Sequence, residues 1–554
     1  MNTQNRASYN LHQGTNFRAY EYLGAHKQED GAYVFRVFAP RAESVALVGD
    51  FCSWDVGVPM RRVTDGGVWE TQLEVGRVRE GHNYKFKIAA NGESRYVPDP
   101  YAFATERLPK DASVICDIDA YSWRDGGWIA YKRRSSARGN AAPLNIYFLD
   151  LGAWRKRWDG ESCSYTETAA ELAPYLKQMG YTHVALTPVM EHTQGVDEGF
   201  DVRAYFAPTA LYGLPADFMA FVDGMHEAGI GVILQLPFSL SSESALCRFD
   251  GQPLYETRDA LGVRFDLSRG ETECLLASSA CFWIEKYHAD GLLIDGVCRL
   301  VRPDGDACPK ATAFFRELNA YLAGKYPDVV TFSLEDGEKN SMTEYENSGL
   351  GFGTVRNVGW TNHTILCAGD DPHSKTRATL GCLMTDTGAK LTFMGTELGR
   401  TGAWDRTSSI DWGALEREEN ARLQLYAAEL GRLYLTTPCL WNGEMKAVRC
   451  PCDGLTCFER TSGKDGVTVV INFTPDAYKE IRLGVSKSGE YIEIFNSDDG
   501  RYGGGGETNR ERLVAYEDSN GEFWINTRIS PLAITIFKRV ADDTQKDINS
   551  NQKI

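Results

Sequence analysis

One carboxylate in this sequence stands where chemistry is easily mounted. The run Gly291-Leu292-Leu293-Ile294-Asp295 is apolar, lies between glycines and ends on an acid. Strand alternation puts Leu293 and Asp295 on one face and Leu292 and Ile294 on the other. A buried strand that delivers a carboxylate at its C-terminal end is how a parallel barrel presents a nucleophile or an acid–base group. An aspartate after such a run also serves as a helix N-cap or turn residue, and the run alone leaves both readings open.

The elements around Asp295 favour the barrel. Asn145–Phe148, His183–Leu186, Gly231–Leu234, Val329–Ser333 and Lys390–Met394 read as strands. Helical stretches at Thr166–Met179, Ala216–Ala228, Glu271–Tyr287, Ala311–Tyr326 and Thr376–Thr385 alternate with them. Such βα repetition predicts a (β/α) barrel over 143–438. A doubly wound sheet competes, but no G-x-G-x-x-G follows the first strand. Upstream, short alternating runs between Gly31 and Ile88 predict a β-sandwich over 29–118, and downstream runs predict a second over 439–540. Residues 1–28 read as a polar extension, 119–142 as a linker and 541–554 as a disordered tail. Trp54 and Trp69 in the first sandwich are candidates for stacking on sugar rings, or else core residues.

A net charge of −17 argues against general affinity for nucleic acid or anionic membrane. No apolar window is long enough to span a bilayer, and Met1–Asn5 has no signal-peptide pattern. Of the 14 cysteines only Cys450 and Cys452 stand close together, a poor zinc signature, so reduced thiols in a cytoplasmic protein are expected. No P-loop, dinucleotide fingerprint, metal-spaced His/Cys cluster or calcium-type Asp/Asn density occurs, so no cofactor and no metal are expected.

The local wording resembles the α-amylase superfamily and, within it, the glycogen (1,4-α-glucan) branching enzymes. Gly49-Asp50-Phe51-Cys52-Ser53-Trp54-Asp55 resembles the family's GDFNGWD, in its N-terminal glycan-binding sandwich. Asp99–Phe103, Gly180–Val184 with Pro188–His192, Tyr205–Thr209, Arg248–Gly251, Phe393–Gly399 and Ser409–Trp412 also resemble family segments, in the family's order. The resemblance implies a TIM-type barrel between two sandwiches and a retaining mechanism that moves an α-1,4-linked chain to an α-1,6 position. That chemistry needs a carboxylate nucleophile and an acid about 5–5.5 Å from it.

Carried over residue by residue, the site is incomplete. The nucleophile position is Asp295, but the family's Arg two residues earlier is Leu293, and a buried carboxylate without a cation is a weaker nucleophile. At the family's TIAEES the chain has Thr331-Phe332-Ser333-Leu334-Glu335-Asp336, which puts Leu334 at the acid position. Glu335 serves only if a bulge or an early strand end re-aims it. The DWVPGHF loop is replaced by Gln235-Leu236-Pro237-Phe238-Ser239. The segment that carries the family's SHDE motif and one barrel strand is absent: Pro372-His373-Ser374-Lys375 runs straight on, with His373 read as a loop residue. The barrel is therefore expected to lack one βα unit. The family's WGYQ is Glu198-Gly199-Phe200-Asp201, where Phe200 keeps a ring that is either a sugar platform or core.

The expectation is a catalytically impaired branching-enzyme homologue that binds α-1,4-glucan, with a protein partner possible. One alternative is a working transferase or hydrolase in which Glu335, Glu397 or Asp201 supplies the acid. The other is a scaffold that binds no sugar.

Overall fold

The computed structural model describes residues 3–137, 142–193, 199–333, 349–353, 355–358, 372–400, 409–450 and 452–540. Glu335 and the 541–554 tail lie outside them. The chain divides into two compact units, the first made mainly of 1–138 and 184–354 and the second mainly of 355–554, with 139–148 and 175–183.

In chain order the elements that matter are α1 (Gly126–Ala137), β1 (Asn145–Leu149), α2 (Tyr165–Met179), β2 (His183–Leu186), α3 (Pro215–Glu227), β3 (Gly231–Pro237), α4 (Gly270–Tyr287), β4 (Gly291–Asp295), α5 (Pro309–Lys325), β5 (Val330–Ser333), β6 (Val355–Val358), α6 (Pro372–Thr385), β7 (Ala389–Phe393) and α7 (Glu418–Thr436).

The first unit opens with the sandwich. One sheet pairs Gly24–Lys27, Tyr33–Phe38 and Val68–Leu73; the other pairs Ser44–Gly49, Asn83–Ala90 and Glu93–Val97. Strict alternation along Asn83–Ala90 turns Tyr84, Phe86 and Ile88 inward, where Tyr84 meets Phe35 of the facing sheet edge-on at 5.3 Å. The 1–28 stretch is not merely a polar cover. Thr3–His12 is helical, Gly24–Lys27 is already a strand of the sandwich, and Leu11, Tyr20 and Leu23 are buried. It is held on α4, where Glu271 hydrogen-bonds His12 at 2.9 Å and Ser278 accepts from the Ala19 amide at 2.8 Å.

The stretch predicted as a linker holds helix α1. Its composition is poor in apolar residues, which hid the helix; Trp128 and Lys132 instead anchor it by polar contacts to Asp290, the residue before β4. Within this unit the barrel strands lie in the order β5-β4-β3-β2, with β4 parallel to both β3 and β5. Every residue of β3 is buried, as parallel strands covered on both faces require. α4 is buried almost all round, so its small residues Ala277, Ser278, Ser279 and Ala280 let neighbours approach closely.

In the second unit β7 lies between β1 and β6 and runs parallel to both. β6 is absent from the strands read in the sequence, because Val355-Arg356-Asn357-Val358 has no clear alternation. Among the described residues there are thus seven barrel strands, where a complete (β/α)8 barrel has eight. His373 is in the first turn of α6, not in a loop, and hydrogen-bonds the Asn420 side chain at 2.7 Å. The C-terminal β-domain follows as a six-stranded and a three-stranded sheet. Leu380, Leu383, Leu423, Tyr426 and Leu430 of α6 and α7 share one core with Val469, Ile471, Ile534 and Ile536 of the larger sheet. That packing needs glycine at Gly381, where a Cβ would stand 2.3 Å from the Ile534 side chain.

Candidate active site

Asp295 is the last residue of β4 and half-buried, as the alternation of Leu293 and Asp295 requires. The register sets Gln235 beside Leu293 and Pro237 beside Asp295, so these side chains share one face of the sheet. Gln235 Nε2 donates to Asp295 Oδ2 at 3.2 Å, and the Gly296 amide donates to Oδ1 at 2.6 Å. Gly296 sits at φ +79°, in the left-handed region that glycine enters without strain and that turns the chain into the next helix. Gln235 is 1% exposed, and its Oε1 is buried with no hydrogen-bond partner among the described residues. The site therefore pairs its carboxylate with a neutral amide from β3, while the position two residues before Asp295 carries a buried aliphatic chain. Sequence reading treated Gln235 only as a loss; the parallel register of β3 and β4 reveals the contact.

Phe200 and Asp201 are tied to the loop after β3. Ser241 Oγ donates to Asp201 Oδ1, Thr193 Oγ1 donates to Oδ2, and Ser239 Oγ donates to the Phe200 carbonyl at 3.0 Å. The Phe238 amide of that same loop donates to the Asp295 carbonyl at 3.0 Å. One loop, Phe238–Ser241, thus joins Phe200, Asp201 and Asp295. Both Asp201 oxygens accept hydroxyl protons, and the carboxylate is buried. Phe200 is half-buried.

Glu397 belongs to the second unit, in the turn after β7. It is fully buried, and the hydroxyls of Tyr147 and Tyr175 both donate to its Oε1 at 2.7 Å. Burial pushes its pKa above the ordinary 4.5, against the two hydroxyl donors. An acid whose folded pKa is raised costs stability as pH climbs from the unfolded value towards the folded one. Glu397→Gln removes that cost, so its urea midpoint should gain on the parent's between pH 4 and pH 7; a constant gap would contradict the assignment.

In the sandwich, Trp54 is 39% exposed at φ +60°, and its indole N–H donates to Asp50 Oδ1 at 2.7 Å. Asp50 Oδ2 also accepts from the Asn83 amide, which holds the turn. Trp69 is buried and donates to the Ala39 carbonyl at 3.0 Å, so it fills the sandwich instead of facing solvent. Among the described residues no group of three or more His, Cys, Asp or Glu could hold a metal ion, and no helix is long and apolar enough to cross a membrane.

Known proteins match this architecture segment by segment. Residues 22–102 match carbohydrate-binding module 48 (isoamylase N-terminal domain), 169–246 the α-amylase catalytic domain, and 453–540 the α-amylase C-terminal all-β domain. The 1,4-alpha-glucan branching enzyme GlgB of Rubrobacter xylanophilus is 34% identical, over 96% of this chain and 85% of its own. The chain belongs to the GlgB family. GlgB of Bacillus subtilis is 31% identical over 96% of this chain and 97% of its own. The match to the Rubrobacter GlgB runs over 622 positions, more than the 554 residues present here, so that relative carries stretches this GlgB homologue lacks. Solved structures share the fold at lower identity. Pullulanase from Bacillus acidopullulyticus superposes with a TM-score of 0.70 at 16% identity, over 93% of this chain and 75% of its own. A putative α-amylase from Salmonella typhimurium gives 0.68 at 16%, over 94% and 99%.

Proposed function

We propose that this GlgB homologue binds α-1,4-glucan through its N-terminal sandwich and has lost most or all of the power to rebuild the polymer. The observation that carries the second half is Leu293, a buried hydrocarbon side chain on the strand face of Asp295 at the position where the family motif has arginine. A retaining transferase needs a nucleophile kept ionised and a proton donor for the leaving oxygen. Here the family's arginine position holds hydrocarbon, and in the sequence the family's acid position holds Leu334. The α-amylase catalytic-domain match ends at residue 246, before Asp295, in keeping with a site region that has diverged.

The binding half rests on Trp54, an exposed indole held by Asp50 within the segment that matches a carbohydrate-binding module. An indole whose N–H is tied leaves its ring face to cover the apolar face of a glucose unit. Affinity electrophoresis in glycogen-containing gels tests this. The parent chain should be retarded, and Trp54→Ala should bind about 10-fold more weakly, the cost of truncating an aromatic anchor. Migration of the parent at its glycogen-free rate would refute glucan binding and leave the scaffold reading.

A further inference from the structure

The C-terminal domain holds a polar pocket of about 440 Å³ that neither Asp295 nor Trp54 shares. It is lined mainly by the loop Gly506–Glu511 and by Arg528, on the strand Phe523–Ile529. The loop is held by its main chain. Asp498 Oδ1 accepts from the Gly505 amide at 2.7 Å, and Oδ2 from the Glu507 amide at 3.1 Å. Ser530 Oγ donates to the Glu507 carbonyl at 2.7 Å. Asn509 clamps the loop to the strand, since its Nδ2 donates to the Arg528 carbonyl at 2.9 Å and its Oδ1 accepts from the Arg528 amide at 3.0 Å. With the backbone so fixed, the side chains of Glu507, Thr508, Arg510, Glu511 and Arg528 line a preformed cavity.

The same strand carries an aromatic face. Ile525 and Ile529 join Ile481 and Leu483 in the core, so alternation puts Trp524, Asn526 and Arg528 on the outer side. There Tyr516 pairs with Trp524, and Arg482 with Asn526. The Arg482 guanidinium lies 4.5 Å from the Trp524 ring centre and 5.7 Å from that of Tyr516. The Tyr516 hydroxyl donates to Asn526 Oδ1 at 3.1 Å, yet the residue stays 38% exposed. It is a ring fixed at its tip and backed by a cation. Asn526 and Arg528 stand two residues apart on one strand face, about 7 Å, so ring and pocket form one continuous surface.

We propose that this surface is a second α-1,4-glucan site, with the Tyr516 ring as platform and the pocket as its polar clasp. The inference rests on the reading that the chain handles α-glucan, but not on Trp54. Charge decides the ligand class: Arg510 and Arg528 balance Glu507 and Glu511, which favours neither an anion nor a cation. The guanidinium, carboxylate and threonine hydroxyl groups supply donors and acceptors together, as the hydroxyls of a neutral sugar require. The open ring covers the sugar's C–H face. On a polymer the two sites add their hold, so a short chain is needed to resolve them.

Isothermal titration calorimetry of the full-length chain with maltoheptaose tests the assignment. Trp54→Ala removes the sandwich contribution, and saturable binding should persist. Adding Tyr516→Ala or Arg528→Ala to Trp54→Ala should weaken that remaining binding at least about 10-fold, the effect of truncating an anchor side chain. Adding Tyr516→Phe instead keeps the ring and should keep most of the affinity, which separates a lost platform from a damaged fold. Unchanged affinity in both alanine double variants would overturn the proposal. So would loss of all maltoheptaose binding in Trp54→Ala alone, a result that leaves the sandwich site standing. Equal affinity for cellohexaose, a β-1,4-linked chain, would overturn the α-glucan assignment. Binding that Trp54→Ala leaves intact and Tyr516→Ala alone abolishes would support this site and refute the Trp54 reading; no binding by the parent would overturn both.

Discussion

Asp290→Ala should destabilise the first unit by about 3–5 kcal/mol, the range for removing one partner of a buried charge network. The expected readout is a denaturation midpoint at lower urea with an unchanged slope. Asp290 stands just before β4, and four donors converge on its carboxylate. Trp128 Nε1 at 2.8 Å and Lys132 Nζ at 2.5 Å meet Oδ1; His226 Nε2 at 2.8 Å and the Val232 amide at 2.6 Å meet Oδ2. The His226 ring reaches Asp125 with its other nitrogen at 2.9 Å, and His288 joins Asp125 at 2.8 Å. Alanine would free α1 from the strand and leave Lys132 and a buried imidazole short of their shared partner. The loss should depend on pH. Burial pulls His226 down, but Asp290 and Asp125 outweigh it, and its folded pKa stands above 6.5. That share of stability is complete below 6.5 and fades as pH rises through the folded value. Asp125 moves the other way: burial opposes, yet its two histidine partners lower it from 3.8, so its share is complete above 3.8 and fades as pH falls. The penalty of Asp290→Ala is therefore greatest between these limits and shrinks towards alkaline pH. A penalty below about 1 kcal/mol at pH 6 would place Asp290 among ordinary surface pairs.

The second large effect is on catalysis. Set beside a GlgB relative in the same amylose reaction, this chain should form α-1,6 branches at least about 10³-fold more slowly. General acid catalysis is commonly worth about 10²–10⁴ and a charge-stabilising contact about 10²–10³, and parts that act as one unit do not multiply independently. The family motif places an arginine where Leu293 stands and an Asp–His pair where Gln235–Ser239 stands, so more than one such contribution is removed. Restoring one member alone, as in Leu293→Arg, should recover less than about 10-fold, since the arginine restores neither the family's acid nor its Asp–His pair. Recovery to the relative's rate would mean that one substitution, not a dismantled assembly, sets the deficit.

The fold was legible from the sequence because its signals are local and repeated. Alternation at Asn83–Ala90 and the apolar runs of β3 and β4 each state a burial pattern that the structure repeats. Helix α1 and strand β6 were hidden for a common reason: what holds them is tertiary. α1 is polar by composition and is pinned by Trp128 and Lys132 on a carboxylate about 160 residues away in sequence, outside any local pattern. β6 is short, irregular in pattern and paired to β7, which follows it by some 30 residues. The site was legible in part. Motif order located Asp295, and alternation its face, but the Gln235 contact arises from the register between two strands that are 60 residues apart in the chain. Trp54 and Trp69 show the same limit, since residue type offered both to a sugar and only packing separates an exposed ring from one inside the sandwich.

The most direct test is a branching assay on the parent chain and on Asp295→Ala, with amylose–iodine absorbance and new α-1,6 linkages followed over the time in which a GlgB relative completes the reaction. Both proteins should leave the iodine colour and the linkage count unchanged, indistinguishable from each other. Robust branching by the parent that vanishes in Asp295→Ala would contradict the account, because Asp295 would then be a working nucleophile with a functioning assembly around it.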